Sequence, residues 1–260
     1  MTTNSAADSY RHDALAVVLQ VREALPHHEG RPSGAPSRRP TGAGRSLQIL
    51  LWRRSLEPFG GAWALPGGPL ERDERLGASI SRQLATKVDI RQIGHLEQVE
   101  TRSDPDRDPT GRVLGTVYLG LVPQGLDPGL PDDTAWHPAR DLPSMAYDHA
   151  SMTHSALARL RAKLSYTNIC FALAPATFTL SELRDVYVAA LGHDVTVTNL
   201  QRVLLRRRII EPTGEVTRSG SSGGRPAATY RFTVDQLQIT DTFAVLRPPA
   251  LSGEPHPSVG

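Results

Sequence analysis

Trp63-Ala64-Leu65-Pro66-Gly67-Gly68, then Glu74, then Arg82-Gln83-Leu84-Ala85-Thr86-Lys87-Val88-Asp89-Ile90 is the stretch that decides the fold. Leu65-Pro66-Gly67-Gly68 is a turn signal. From Asp73 to Val88, the residues Leu76, Ile80, Leu84 and Val88 recur every fourth position, which predicts a helix with one apolar stripe. Upstream, the valine-rich run Ala14 to Val21 reads as a buried strand and Leu47 to Trp52 as a second. Downstream, Ile93 to Val99 and Val113 to Val122 read as strands separated by a polar loop, followed by a Gly/Pro loop from Gln124 to Asp133. Between the first two strands, residues 27–44 turn to Pro, Gly, Ser and Arg, the composition of a flexible surface insertion. The first part of the chain is therefore mixed α and β, without an internal repeat.

The second part changes character. Met152, Leu157, Leu160 and Leu164 mark a helix after His149, and Ile169 to Leu173 a short helical or buried segment. Thr179-Leu180-Ser181-Glu182 fits a capping box, in which the threonine covers one orphan amide and the glutamate reaches back to another. Leu183, Val186 and Ala190 give that helix an apolar face, and Gly192 is a natural stop. After a short turn, a helix from Thr196 or Thr198 to Arg208 follows. Arg218 to Phe232 reads as a hairpin with its tip at residues 220–224. Helix, turn, helix and hairpin is the order of a winged helix. Phe243 to Leu246 is one more apolar stretch that could pack, and Pro248 to Gly260 reads as a disordered tail.

Composition sets the frame. The 260 residues are 39% apolar and 22% charged, which permits a packed core and argues against wholesale disorder. The net charge is only +2, but it is unevenly placed. Residues 151–232 carry 11 Lys and Arg against 5 Asp and Glu, while the remainder carries 18 against 22. A basic C-terminal third calls for an anionic partner. Cys170 is the one cysteine and lies in an apolar run, so it reads as a core residue. The N-terminus has no basic region leading into an apolar stretch, and no apolar run approaches the ~20 residues of a membrane helix. A soluble cytoplasmic protein with no membrane partner is expected.

The quoted stretch, with its lead-in Leu50-Leu51-Trp52-Arg53-Arg54 and Pro58-Phe59, resembles a Nudix box and the residues before it. That box runs glycine, five residues, glutamate, seven residues, then Arg-Glu-hydrophobic-x-Glu-Glu-x-Gly-hydrophobic. Gly68, Glu74 and Arg82 fall in register, as do the hydrophobic positions Leu84 and Ile90. Gln83, Thr86 and Lys87 stand where the box has glutamates, and Asp89 where it has glycine. A Nudix helix uses those carboxylates to hold Mg²⁺, which activates water against a diphosphate. Glutamine and threonine bind Mg²⁺ poorly, and Lys87 puts a positive charge where the cation sits. The resemblance therefore implies the fold without the hydrolase. Glu71 and Glu74 remain, and both read more simply as solvated or capping residues, Glu74 near a helix start where the dipole favours it.

A second resemblance covers nearly the whole chain. Trp136-His137-Pro138, Leu142-Pro143, Tyr147-Asp148-His149, Leu157 and Leu160, then Phe178 to Tyr187, Leu191-Gly192, Asn199-Leu200-Gln201-Arg202 and Gly224-Arg225-Pro226-Ala227 resemble Nudix-related transcriptional regulators, the NrtR family. The insertion 27–44 departs from that pattern, as does Leu200 where phenylalanine is common. This implies an α+β chain: a Nudix-type α/β/α sandwich sensor at 1–150, a winged helix-turn-helix at 151–235 and a partly disordered extension at 236–260. It also implies a homodimeric repressor of NAD-synthesis or salvage genes, with operator DNA as partner and ADP-ribose or a related NAD metabolite as effector, and no required cofactor.

The residues themselves nominate the contacts. In the helix Thr196 to Arg208, Val197, Leu200, Val203 and Leu204 form the buried stripe, while Thr198, Gln201 and Arg202 share another face beside Asn199. A recognition helix sets such polar residues at base edges, where Arg pairs with guanine and Asn or Gln with adenine. Arg206 at the helix end and Arg218 and Arg225 in the hairpin are candidates for phosphate or groove contacts, against the plainer reading of dipole compensation and a solvated hairpin. For the effector, Arg53, Arg54, Glu71 and Arg82 are the candidates; a diphosphate suits an arginine such as Arg53 or Arg54, though either could equally pair with an acidic neighbour, and Arg82 reads best as structural. His137, His149 and His154 lack ligand spacing, so no metal is assigned. Two other readings stay open: an active hydrolase with an accessory domain, and a scaffold whose winged helix binds protein.

Overall fold

The computed structural model describes residues 10–24, 44–217 and 226–241. A seven-stranded sheet forms the first layer. Its strands are β1 (Arg11–Glu23), β2 (Arg45–Arg53), β3 (Trp63–Ala64), β4 (Gly67–Pro69), β5 (His95–Arg102), β6 (Val113–Leu121) and β7 (Thr134–Pro138). The main path runs β3-β2-β1-β6-β5, with β4 added to β1 and β7 to β2. The long strand β1 is the organiser: it pairs antiparallel with β2 and parallel with β6.

Both faces of β1 are buried, which explains its unbroken apolar run. Ala14, Ala16 and Val18 face one way and pack with Ile80, Leu84 and Val88 of helix α1 (Leu76–Lys87). Leu15, Val17, Leu19 and Val21 face the other way, onto Met152, Ala156, Leu157 and Leu160 of α2 (His149–Tyr166). The period-two alternation of a strand thus produces the α/β/α sandwich.

The second core does not stop at α2. It continues through a short 3₁₀ turn, Ile169–Ala172, into α3 (Leu180–Leu191) and α4 (Val197–Arg206), burying Leu183, Val186, Tyr187, Leu200, Val203 and Leu204. Thr179 caps α3 as its sequence predicts: its hydroxyl accepts from the Glu182 amide at 3.2 Å and the Glu182 carboxylate accepts from the Thr179 amide at 2.8 Å. Gly192 ends the helix at φ 84°, where a side chain would be strained. A small sheet, β8-β10-β9, closes the unit, with β8 Phe178–Thr179, β9 Ile210–Val216 and β10 Ala228–Phe232.

Several boundaries differ from the sequence reading. The hairpin's outgoing strand is Ile210–Val216, before Arg218; Pro212 and Gly214 disguise it, and an edge strand tolerates both. Gly67 and Gly68, read as a turn, form β4 against Leu15 and Ala14. A side chain at Gly67 would put its Cβ 2.2 Å from the Ala14 carbonyl oxygen, so the approach needs glycine. Helix α1 starts at Leu76, three residues after Asp73. The insertion, the hairpin tip, the Phe243–Leu246 stretch and the tail lie almost entirely outside the described residues. Among the described residues, no helix is long and apolar enough to cross a membrane.

Candidate functional site

A cavity of about 300 Å³ opens where the Nudix-like helix, the sheet and the start of α2 meet. Strand β1 supplies Arg11 and Asp13, β2 and its following loop supply Trp52 and Arg54, and β4 forms the floor with Gly67 and Gly68. Lys87 comes from the end of α1, Arg107 and Asp108 from the β5–β6 loop, and Tyr147 and His149 from the start of α2.

The charges are ordered in two groups. Arg11 ion-pairs with Asp13 at 3.0 Å and with Asp108 at 2.7 Å, and Arg107 with Asp148 at 2.8 Å. Among the described residues, Arg54 and Lys87 form no such ion pair, and Asp13 acts on Lys87 only at longer range. Arg54 donates to the Pro58 carbonyl at 3.0 Å and lies over the Tyr147 ring at 5.0 Å. Lys87 Nζ donates to the Gly67 carbonyl at 2.5 Å and lies over Trp52 at 5.1 Å. Burial lowers the Lys87 pKa below its ordinary value. Burial also pushes His149 down to about 3, so its ring is neutral and Nδ1 accepts from the Leu65 amide at 3.1 Å.

The four nominated effector residues do not converge. Arg54 lines the cavity. Arg53 points to the other side of β2, exposed, and donates to the Gly61 carbonyl. Arg82 holds Glu74 by two hydrogen bonds, 2.8 and 2.7 Å, and this grip lowers the Glu74 carboxyl to about 2. Glu71 is exposed, 3.3 Å from the same guanidinium. Arg53, Glu71 and Arg82 are thus outside the cavity wall. Arg11, Lys87, Arg107 and Asp108 carry its charge instead; Arg107 and Asp108 sit in a polar loop that offered no periodicity to read.

The residues present do not fit the Mg²⁺ that a Nudix fold implies. Gln83 is buried against Gly68, Thr86 is exposed and turns its hydroxyl back to the Arg82 carbonyl, and Lys87 brings an ammonium into the cavity. Among the described residues, no three His, Cys, Asp or Glu side chains are grouped to hold a metal. Asp89 replaces the last glycine of the box at φ 51°, a left-handed conformation that aspartate tolerates.

Helix α4 presents a polar face outward. Thr198, Asn199, Arg202 and Arg206 are exposed and Gln201 is half-buried. Arg202 donates to the Asn199 side chain at 2.9 Å, which pre-orients both. Arg207, part of the same arginine run, is buried: it pairs with Asp241 at 2.5 Å and donates to the Ser165 carbonyl at 3.1 Å. It therefore ties α4 to α2 rather than facing solvent. Arg218 and Arg225 lie outside the described residues.

A Nudix-type sandwich sharing one core with a winged helix defines a two-part protein of the regulator type. Family comparison agrees: residues 38–156 match the NUDIX domain and residues 170–232 the NrtR DNA-binding winged helix domain. An Acinetobacter baylyi protein named "ADPR responsive transcriptional repressor NtrR" is 36% identical over 205 residues, 74% of this chain and 78% of that one. The crystal structure of Shewanella oneidensis NrtR superposes with a TM-score of 0.66 at 26% identity, covering 85% of this chain and 93% of the other. The same protein with a 27mer DNA gives 0.64 at the same identity, covering 85% and 92%. The chain belongs to the NrtR family.

Proposed function

We propose that this chain is a transcriptional repressor of NAD-synthesis or salvage genes, binding operator DNA as a homodimer and releasing it in response to ADP-ribose or a related metabolite. The carrying observation is the pairing, within one continuous core, of a cation-lined cavity with an exposed polar helix face. The division of labour follows from it: residues 1–150 sense, residues 151–235 bind DNA, and 236–260 extend the chain. Support comes from the relatives, one named for response to ADP-ribose and one solved with DNA. Thr198, Asn199, Gln201 and Arg202 read bases in the major groove, with Arg206, Arg218 and Arg225 on the backbone or in the minor groove. A dimer matches a palindromic operator by symmetry.

The pocket binds without hydrolysing. Gln83, Thr86 and Lys87 supply neither the metal ligands nor a base near them, and no catalytic residue or required cofactor is assigned. One observation favours a hydrolase: 110 residues are 33% identical to an ADP-ribose pyrophosphatase of Methanocaldococcus jannaschii, covering 39% of this chain and 61% of that one. Fold alone does not carry the activity. The test is retardation of DNA upstream of NAD-synthesis genes across a salt series. Sequence-selective binding that weakens steeply with salt is expected; binding that ignores salt, or turnover of ADP-ribose with Mg²⁺, overturns the proposal.

A further inference from the structure

We propose that Lys87, together with Arg54, takes the place of the divalent cation, so that this pocket holds a diphosphate ester without metal. This rests on the reading of the cavity as the effector site. Lys87 occupies the last of the three positions that carry carboxylates in a Nudix box, on the face of α1 that looks into the cavity. Its ammonium and the Arg54 guanidinium lie within 6.0 Å of one indole, that of Trp52. Both donate to main-chain carbonyls and, among the described residues, neither is in a carboxylate ion pair; Asp13 acts on Lys87 only at longer range. Of the carboxylates lining the same cavity, Asp13 and Asp108 are ion-paired to Arg11, and Glu57 accepts a 3.3 Å hydrogen bond from the Gly60 amide.

Two half-buried cations facing one cavity without a carboxylate in contact with either favour an anionic ligand there. A diphosphate offers oxygens to both through charge-assisted hydrogen bonds, the strong kind. The same arrangement repels Mg²⁺, because the box's carboxylates are replaced and the substituted charge is positive. Binding by this pocket is therefore indifferent to Mg²⁺ or weakened by it, the reverse of a Nudix hydrolase.

The test is calorimetric titration of the full chain with ADP-ribose and, separately, with inorganic pyrophosphate, each in EDTA and in Mg²⁺. The expected result is ADP-ribose binding in EDTA that Mg²⁺ does not tighten. Lys87→Gln and Arg54→Gln each weaken it about tenfold, the loss of one charge-assisted contact of roughly 1.4 kcal/mol. Lys87→Arg, which keeps the charge, retains binding and controls for folding. Wild-type binding that requires Mg²⁺, or unchanged affinity in Lys87→Gln, overturns the inference. Pyrophosphate binding in EDTA that Lys87→Gln abolishes, with no ADP-ribose binding, keeps the clamp and removes the effector reading. Binding of neither ligand overturns both.

Discussion

Arg107 donates to Asp148 at 2.8 Å, and this pair fastens the wall of the cavity to the first turn of α2. Arg107 is almost fully buried, lying over Gly115, where a Cβ would come within 2.7 Å of the guanidinium. The 18-residue helix α2 then spans about 27 Å at 1.5 Å per residue. At its far end the Ser165 carbonyl accepts from Arg207, the residue that follows α4. One rod thus touches both the cavity and the end of α4.

Weakening the near end of that rod should loosen the coupling between the sites. Asp148→Asn keeps an acceptor for Arg107 but removes the charge. It is expected to bind ADP-ribose within about threefold of wild type while the ligand's effect on DNA affinity shrinks by a comparable or larger factor, since coupling is a free energy separate from either affinity. Fluorescence anisotropy of labelled operator, titrated with ADP-ribose, reads this directly. A release curve that overlays wild type removes the pair from the coupling path.

On α4, Gln201→Ala and Arg202→Ala should each weaken operator binding about tenfold or more, the range of ~1–3 kcal/mol for a base contact. The dimer should persist in gel filtration. Arg225→Ala, in the hairpin, is expected to weaken binding as well. Unchanged affinity in all three places the DNA contact elsewhere.

Arg82 and Glu74 are a separate case, because their pair braces α1 without lining the cavity. Arg82→Met is expected to lower the melting temperature and leave ADP-ribose affinity unchanged. A selective loss of binding with an unaltered melting curve would move Arg82 into the effector site.

His149 makes a prediction about pH. Its folded pKa of about 3 lies below the ordinary 6.5, because burial disfavours the charged ring. The unfolded chain takes up a proton that the folded one refuses, so the contribution is complete above pH 6.5 and is lost as pH falls from there toward 3. The slope approaches about 1.4 kcal/mol per pH unit. Denaturant unfolding of His149→Gln across that window should show a flatter profile than wild type; parallel profiles would mean that the ring does not titrate as described.

Restoring the box tests the account of its three replaced positions. The triple variant Gln83→Glu, Thr86→Glu and Lys87→Glu should acquire Mg²⁺ binding that wild type lacks, measured by calorimetry with the metal alone. Equal Mg²⁺ affinity in both proteins would contradict the account of these three positions.

The sequence carried the fold well where periodicity was strong. The four-residue stripe of α1, the Thr179 cap and the buried run of β1 all appear as read, because each is a local signal. Strands β3, β4 and β7 were hidden because they are only two to five residues long, β4 being entirely Gly and Pro, and only pairing with β1 and β2 makes them strands. The cavity was less legible. Arg53 ends β2 and Arg54 follows it, so the two point to opposite sides, and the sequence could not say which one faces the cavity. Arg107 and Asp108 reach the site from a loop whose placement depends on tertiary contacts alone. Arg207 looked like its neighbours Arg206 and Arg208, but the turn after α4 buries it against α2.

The most direct measurement is a mobility shift on DNA upstream of NAD-synthesis genes, with ADP-ribose and NAD added in turn. The account predicts a sequence-specific complex that ADP-ribose dissociates at concentrations near its own affinity for the protein. No specific complex at low salt, or a complex indifferent to both ligands, would contradict it.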